Sequence, residues 1–144
     1  MRVKLETPLI KKINNTQYIF CIIRKKWIIL TPEENVRQFF LHHLINEHGY
    51  FKKYISVEKK ITVNEQTKRY DIVVFNQKLQ PAILIECKAS HVELTQQVMQ
   101  QITHYNAKLN VPFLVITNGN NTYNFQIRNH QCNSIPTLPK FTEL

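Results

Sequence analysis

The stretch from Tyr70 to Lys88 limits, more than any other, what this chain can fold into. Asp71-Ile-Val-Val-Phe75 and Ala82-Ile-Leu-Ile85 are rich in β-branched, aromatic and aliphatic residues, which predicts two short strands. Asn76-Gln-Lys-Leu-Gln-Pro81 between them carries the residues of a polar turn. Strand side chains alternate faces, so Glu86 and Lys88 point the same way, ~7 Å apart. A carboxylate and an ammonium therefore emerge together from the end of an apolar strand. Asp71, read as opening the neighbouring strand, brings a second carboxylate to that spot. Two hard oxygen ligands and a lysine are the groups needed for Mg²⁺-assisted hydrolysis of a phosphodiester. Cys87 lies between Glu86 and Lys88 on the opposite face and reads as a small buried hydrophobe.

Composition agrees with a soluble globular protein. The chain has 144 residues, enough for one domain with a sizeable core, and is 43% hydrophobic and 20% charged. Nineteen Lys and Arg against ten Asp and Glu give a net charge of +9, which favours a polyanionic partner over a merely soluble basic surface. Cys21, Cys87 and Cys132 are odd in number and form no CxxC pair, so a reducing cytoplasm is expected rather than a disulfide framework or a zinc site. No apolar run reaches the length of a membrane span, and Met1-Arg-Val-Lys lacks a signal-peptide core, so neither membrane nor export is expected. The six histidines have no metal-ligand spacing.

Residues 1–30 read as an arm followed by strands. Asn14-Asn15 suggests a turn, and Gln17-Tyr-Ile-Phe-Cys-Ile-Ile23 and Trp27-Ile-Ile-Leu30 are strand-like. Arg24-Lys-Lys26 between them suits either a solvated turn or a phosphate contact. Thr31-Pro-Glu-Glu34 is a helix start: a cap, a first-position proline and a capping-box glutamate. The helix is expected to run to about His48 and stop at Gly49, burying Val36, Phe39, Phe40, Leu44 and Glu47 at a 3.6-residue rhythm.

Tyr54 to Val63 alternates as a half-buried strand, with a turn at Asn64-Glu65-Gln66. Glu58 within it reads as a surface residue near the active strands. Lys59, Lys60, Lys68 and Arg69 flank this hairpin and are expected to border a cleft where they hold a DNA backbone. A second helix is expected over Glu93 to Leu109, burying Leu94, Val98, Ile102, Tyr105 and Leu109. Pro112 to Thr117 suits a strand buried on both faces, Asn118-Gly-Asn-Asn121 a turn, and Thr122 to Ile127 an edge strand. From Asn129 onward the chain reads as a loop along the surface. The expected organisation is one domain over 1–144, with a core at 31–128 and a tail at 129–144. Its expected class is α/β, a mixed sheet flanked by helices in the order αβββαβ, with a parallel crossover after the Glu86 strand.

Asp71 followed by Glu86-Cys-Lys88 resembles the PD-(D/E)XK nuclease signature, with Tyr70 where a proline often precedes the aspartate. The ordered set Thr31 to Gln38, Glu47-His-Gly-Tyr50, Tyr70 to Phe75, Leu84 to Ala89 and Thr117-Asn-Gly119 is similar to the N-terminal nuclease domain of type I restriction enzyme R subunits, above all in its stand-alone form. The likeness runs from about residue 18 to about residue 140. It implies a restriction-endonuclease-like fold and a Mg²⁺- or Mn²⁺-dependent DNA endonuclease. Asp71, Glu86 and the backbone carbonyl of Cys87 would hold the ion, and Lys88 would orient or deprotonate the attacking water.

The resemblance also implies an accessory first-helix glutamate, either Glu33 or Glu34. It further implies that Gln101 and Tyr105, a QxxxY pair one turn apart, contact phosphate or bases at the cut. The chain lacks a GxxxxGK[ST] phosphate loop, having only Gly49 and Gly119, so it is not expected to translocate along DNA. Beyond DNA, the partners left open are restriction-system or motor subunits and a second copy of the chain. The rival reading is a nuclease-like module that grips DNA or a protein without cutting.

Overall fold

The computed structural model describes residues 7–63 and 65–144; Asn64 of the expected turn and the first six residues of the arm lie outside them. The chain opens with an antiparallel meander, β1 (Ile10–Ile13), β2 (Thr16–Cys21) and β3 (Lys26–Ile29), forming a separate three-stranded sheet. Asn14 and Asn15 have φ of 48° and 68°, the two-residue turn whose twist suits a hairpin.

Helix α1 (Pro32–Asn46) starts where the sequence places it. Thr31 Oγ1 accepts the Glu34 N–H at 3.1 Å. After a 3₁₀ turn at Lys52–Tyr54 come β4 (Ile55–Val63), β5 (Gln66–Phe75), β6 (Pro81–Cys87), α2 (Gln96–Ala107), β7 (Phe113–Thr117), β8 (Thr122–Arg128) and β9 (Gln131–Ile135). Six strands, β4 to β9, form one sheet in chain order, antiparallel throughout except for β6 beside β7. That parallel pair requires a crossover, and α2 supplies it. The fold is α/β, a mixed sheet with a helix on either face.

Burial explains the composition of β6. Ile83, Ile85 and Cys87 pack with Val36, Phe40 and Leu44 of α1, whereas Leu84 packs with Leu114 and Ile116 against Met99, Ile102 and Tyr105 of α2. A strand covered on both sides reads as an unbroken apolar run.

Four expectations are corrected. Phe39 does not join the buried stripe of α1: it is 47% exposed, while Arg37, Gln38 and Leu41 are buried. The helix touches the three-stranded sheet as well as the large one, with Ile19 and Cys21 buried on β2, so two of its sides are covered. Helix α2 is shorter than expected, because Thr95 rather than a residue near Glu93 caps it, and Met99 packs in the core where Val98 was expected. Asp71 lies inside β5 rather than opening it.

The tail, finally, is not surface loop. Asn129 and His130 (φ 52° and 58°) make a two-residue hairpin that returns β9 onto β8, and Leu138 and Phe141 are buried in the α1-side core. Phe141 meets the rings of Tyr50, Phe51 and Tyr54. Phe141→Ala should therefore cost ~3–5 kcal/mol of stability, read as a lowered denaturation midpoint in urea, the amount typical of a core aromatic. A midpoint within error of wild type would mean that the tail is dispensable to the core.

Candidate functional site

The site forms where β5 and β6 part. Their pairing runs through Val74↔Ile83, Val73↔Leu84 and Ile72↔Ile85 and then stops, one residue short of Asp71 and Glu86. In place of the next ladder bond, the Cys87 N–H donates to Asp71 Oδ2 at 2.7 Å. The aspartate thus takes the position of a backbone carbonyl and lies against the Glu86-Cys-Lys88 segment. Its other oxygen accepts from Arg37 Nη2 of α1 at 2.8 Å.

Arg37 is the centre of a charged network. Its Nη1 donates to Glu34 Oε2 at 2.5 Å and lies 3.5 Å from Glu58. Arg24, from the turn before β3, reaches inward to both Glu34 and Glu58, and its N–H and Nε also donate to Cys21 Sγ. Burial works against the charge of Arg37, but the hydrogen bond to Asp71 and the fields of Glu34, Asp71 and Glu58 outweigh it and raise its pKa. Opposing burial likewise, the Arg24 bonds leave the Cys21 thiol below its ordinary value.

Glu58 is held in the left-handed region at φ 55°, inside β4 and opposite Asp71. A non-glycine residue there costs of order 1–3 kcal/mol, and persists where surrounding contacts over-determine it. The two arginines supply those contacts, so Glu58, with its side chain 42% exposed, joins the network from the surface position that the sequence predicts.

Glu86 is nearly buried on the α2 side and pairs with Lys68 of β5. The Lys68 ammonium also lies 4.8 Å from the Tyr70 ring centroid and 5.0 Å from that of Tyr105. Behind it, the Tyr70 hydroxyl donates to buried Asn106 Oδ1 at 2.6 Å; burial, with Glu86 and Tyr105, pushes the Tyr70 phenol far up. The two carboxylates therefore have separate partners, Asp71 toward α1 and Glu86 toward α2.

Lys88 follows β6, half-buried, with its N–H on the Thr117 carbonyl at 2.8 Å, and it has no carboxylate partner among the described residues. The turn after β7 secures this end: Asn118 donates to the Val92 carbonyl and accepts the N–H groups of Asn120 and Asn121. Cys87 faces away into the core, where burial raises its thiol pKa well above the ordinary value, which removes it as a nucleophile.

Of the other residues marked by the sequence, Glu34 rather than Glu33 is built into the site; Glu33 is exposed. Gln101 is exposed on α2, whereas Tyr105 reaches the site through Lys68. Lys59, Lys60 and Arg69 are exposed, with Lys60 opposite Arg69 on the β4–β5 ribbon. Lys68 is turned inward onto Glu86 and is not part of that exposed row. Sequence reading missed Arg24, Arg37 and Asn106. An arginine one turn after the Glu33-Glu34 pair was the available signal for Arg37.

An ion shared by Asp71 and Glu86 is chemically suited to this donor set. Mg²⁺ takes one or two carboxylates and keeps several waters, and the donors are all oxygen. No group of three or more His, Cys, Asp or Glu gathers as a metal site among the described residues. Lys68 holds Oε1 of Glu86, so an ion there would take the other oxygen or compete with the ammonium.

The family profile for the type I restriction enzyme R protein N terminus (HSDR_N) matches residues 32–139. The chain belongs to this family. The match starts at the first residue of α1 and ends within the tail segment before Phe141, so it spans the six-stranded sheet, both helices and every site residue except Arg24. The three-stranded sheet lies outside it. No curated protein matches the chain.

Removing Arg37 would leave Glu34 and Asp71 without their shared cation. Arg37→Ala should cost ~3–5 kcal/mol, measured by chemical denaturation, as for any nearly buried pair broken from one side. Arg37→Lys should recover little of that loss, because one ammonium cannot fork between two carboxylates. Full recovery by lysine would show that charge alone, not the fork, holds the site.

Proposed function

We propose that this restriction-enzyme R-protein domain is a metal-dependent DNA endonuclease of the PD-(D/E)XK type, with Asp71, Glu86 and Lys88 as its working residues. The observation that carries the reading is the bond from the Cys87 N–H to Asp71. It brings an aspartate of one strand against a Glu-x-Lys segment of the next at the point where the strands part. Lys88, lacking a carboxylate partner among the described residues, is free to meet a phosphate or a water.

Asp71, Glu86 and the Cys87 carbonyl would hold Mg²⁺ or Mn²⁺, which when bound polarises a phosphate and acidifies a water. Lys88 would orient or deprotonate the attacking water and offset the charge that builds on the phosphate. Arg37 fixes the rotamer of Asp71, and Glu34 and Glu58 fix Arg37. Exposed Lys59, Lys60 and Arg69 hold the DNA backbone, and Tyr105 lies within reach of the scissile region. Restriction-system subunits are the partners that the family implies, with a second copy of the chain as the remaining candidate.

A second reading is favoured by a specific observation. The two carboxylates already have separate basic partners, Arg37 and Lys68, on opposite sides of the strand end. In a binding module that grips DNA without cutting, those pairs are permanent. In the nuclease, the ion would compete with Lys68 for Glu86.

Plasmid nicking with Mg²⁺ or Mn²⁺ decides between them. Cleavage should fall at least ~100-fold in Lys88→Ala, the scale of losing a positioned base or an electrostatic stabiliser, with DNA binding kept. Asp71→Ala should lose cleavage together with metal affinity. Lys68→Met should bind Mn²⁺ more tightly than wild type in calorimetry, since a competing cation is gone. DNA binding with no metal-stimulated cutting, and no Mn²⁺ binding by wild type or Lys68→Met, establishes the binding module.

A further inference from the structure

The outer face of the β1–β2–β3 sheet has no role in the site. Cross-strand register makes it a set of rows: Phe20 faces Trp27, Tyr18 stands between Lys11 and Ile29, and Ile13 faces Thr16. The alternate residues Ile19 and Cys21 are the buried ones, so these rows point away from α1. Their exposure is high for such side chains: Ile29 is 57% exposed, and Leu9, whose carbonyl accepts the Phe20 N–H, is 64% exposed. Phe20 and Trp27 meet edge to face at 5.3 Å, and the Lys11 ammonium lies 4.2 Å above the Trp27 ring.

Charge on this sheet has one sign. Residues 7–30 contain Lys11, Lys12, Arg24, Lys25 and Lys26 and no acidic residue. Arg24 is spent on Glu34 and Glu58, but the four lysines have no carboxylate partner among the described residues. Lys11 shares the aromatic face, Lys25 lies in the turn at its end, and Lys12 and Lys26 alternate to the other face, so the whole meander repels a second copy of itself and attracts a polyanion.

We infer that this face binds single-stranded nucleic acid, with unpaired bases stacked on Tyr18, Phe20 and Trp27 and phosphates held by Lys11 on the same face and by Lys25 in the turn between β2 and β3. Tyr18 and Phe20 are two residues apart on one strand, ~7 Å, about the repeat of an extended nucleotide chain. Stacking on aromatic side chains accepts any base, and a lysine beside the rings meets the backbone, which is the chemistry of sequence-tolerant single-strand binding. The Lys11 ammonium, now over Trp27, is placed to pass to a phosphate as a base arrives. A duplex, whose bases are already stacked, gains nothing from these rings. The site is independent of the strand end at Asp71 and holds whether or not that end cuts.

The chain contains a single tryptophan, Trp27, so its fluorescence reports on this face directly. The intact chain is titrated with an oligothymidylate at low salt, with EDTA present to prevent cleavage. Saturable quenching is expected, weakening steeply as salt rises. Lys11→Glu, a change outside the core at a half-buried position, should weaken binding by roughly tenfold or more, and Phe20→Ala, followed by anisotropy of a labelled oligonucleotide, by a similar factor. Three results would overturn the inference: an oligonucleotide that binds without quenching Trp27, quenching by a duplex of equal affinity, and equal quenching by polyglutamate. The last would assign the face to an acidic protein.

Discussion

Asp71 joins three parts of the fold through two bonds. One oxygen takes the Cys87 N–H of β6 and the other takes Arg37 of α1, while the residue itself belongs to β5. Its side chain stands in for the next ladder bond, so the two strands can separate without leaving that N–H unpaired. Separation opens the β5 side of Glu86 and Lys88, whose other side stays paired with β7. Arg37 then ties the gap to the first turns of α1, where Glu34 neutralises it and Glu58 crosses from β4. The left-handed backbone at Glu58 belongs to the same arrangement, since it lies directly opposite Asp71 where the strands on either side lose register contacts.

Much of this was legible in the sequence, and the limit is physical. The Tyr70–Lys88 hairpin, the Thr31 cap and the apolar run of β7 are local signals, and each element appears where composition and turn chemistry put it. The order αβββαβ followed from them. Residues whose surroundings depend on distant chain were misplaced. Phe39 satisfies the same helical rhythm as Val36 and Phe40, yet the three-stranded sheet covers the Arg37–Gln38–Leu41 side instead. Lys68 looked like one more surface lysine of a basic ribbon, and only the fold shows that Glu86 and two tyrosine rings receive it. The tail, with Pro136 and Pro139, reads as loop, yet Asn129-His130 makes a hairpin turn without glycine, asparagine and histidine being among the residues that tolerate positive φ.

The large sheet and the small one divide the charge of the chain between different environments. Around the strand end, Arg24, Arg37, Lys68 and Lys88 face Glu34, Glu58, Asp71 and Glu86, so that the basic and acidic groups are equal in number. The net +9 therefore resides elsewhere, on the β4–β5 ribbon and the amino-terminal meander among other places. Any attraction of a polyanion would come mainly from those surfaces, which would separate affinity from the chemistry proposed at the strand end.

That balance also bears on how the strand end can work. With every carboxylate matched to a base, an approaching phosphate finds Lys88 as its free cation, and the buried acids exert little net repulsion. Replacing the Lys68 contact by a divalent ion would add positive charge at a nearly buried position, where it is poorly screened by solvent. The displaced Lys68 ammonium, already at the mouth of the site beside Tyr105, would have a phosphate as its nearest new partner. Ion and nucleic acid would then each favour the binding of the other, because each neutralises the charge that the other brings. On that argument the ion pairs around Asp71 and Glu86 are compatible with catalysis as well as with mere support. What distinguishes the two is whether an ion is held beside these pairs, not whether the pairs exist.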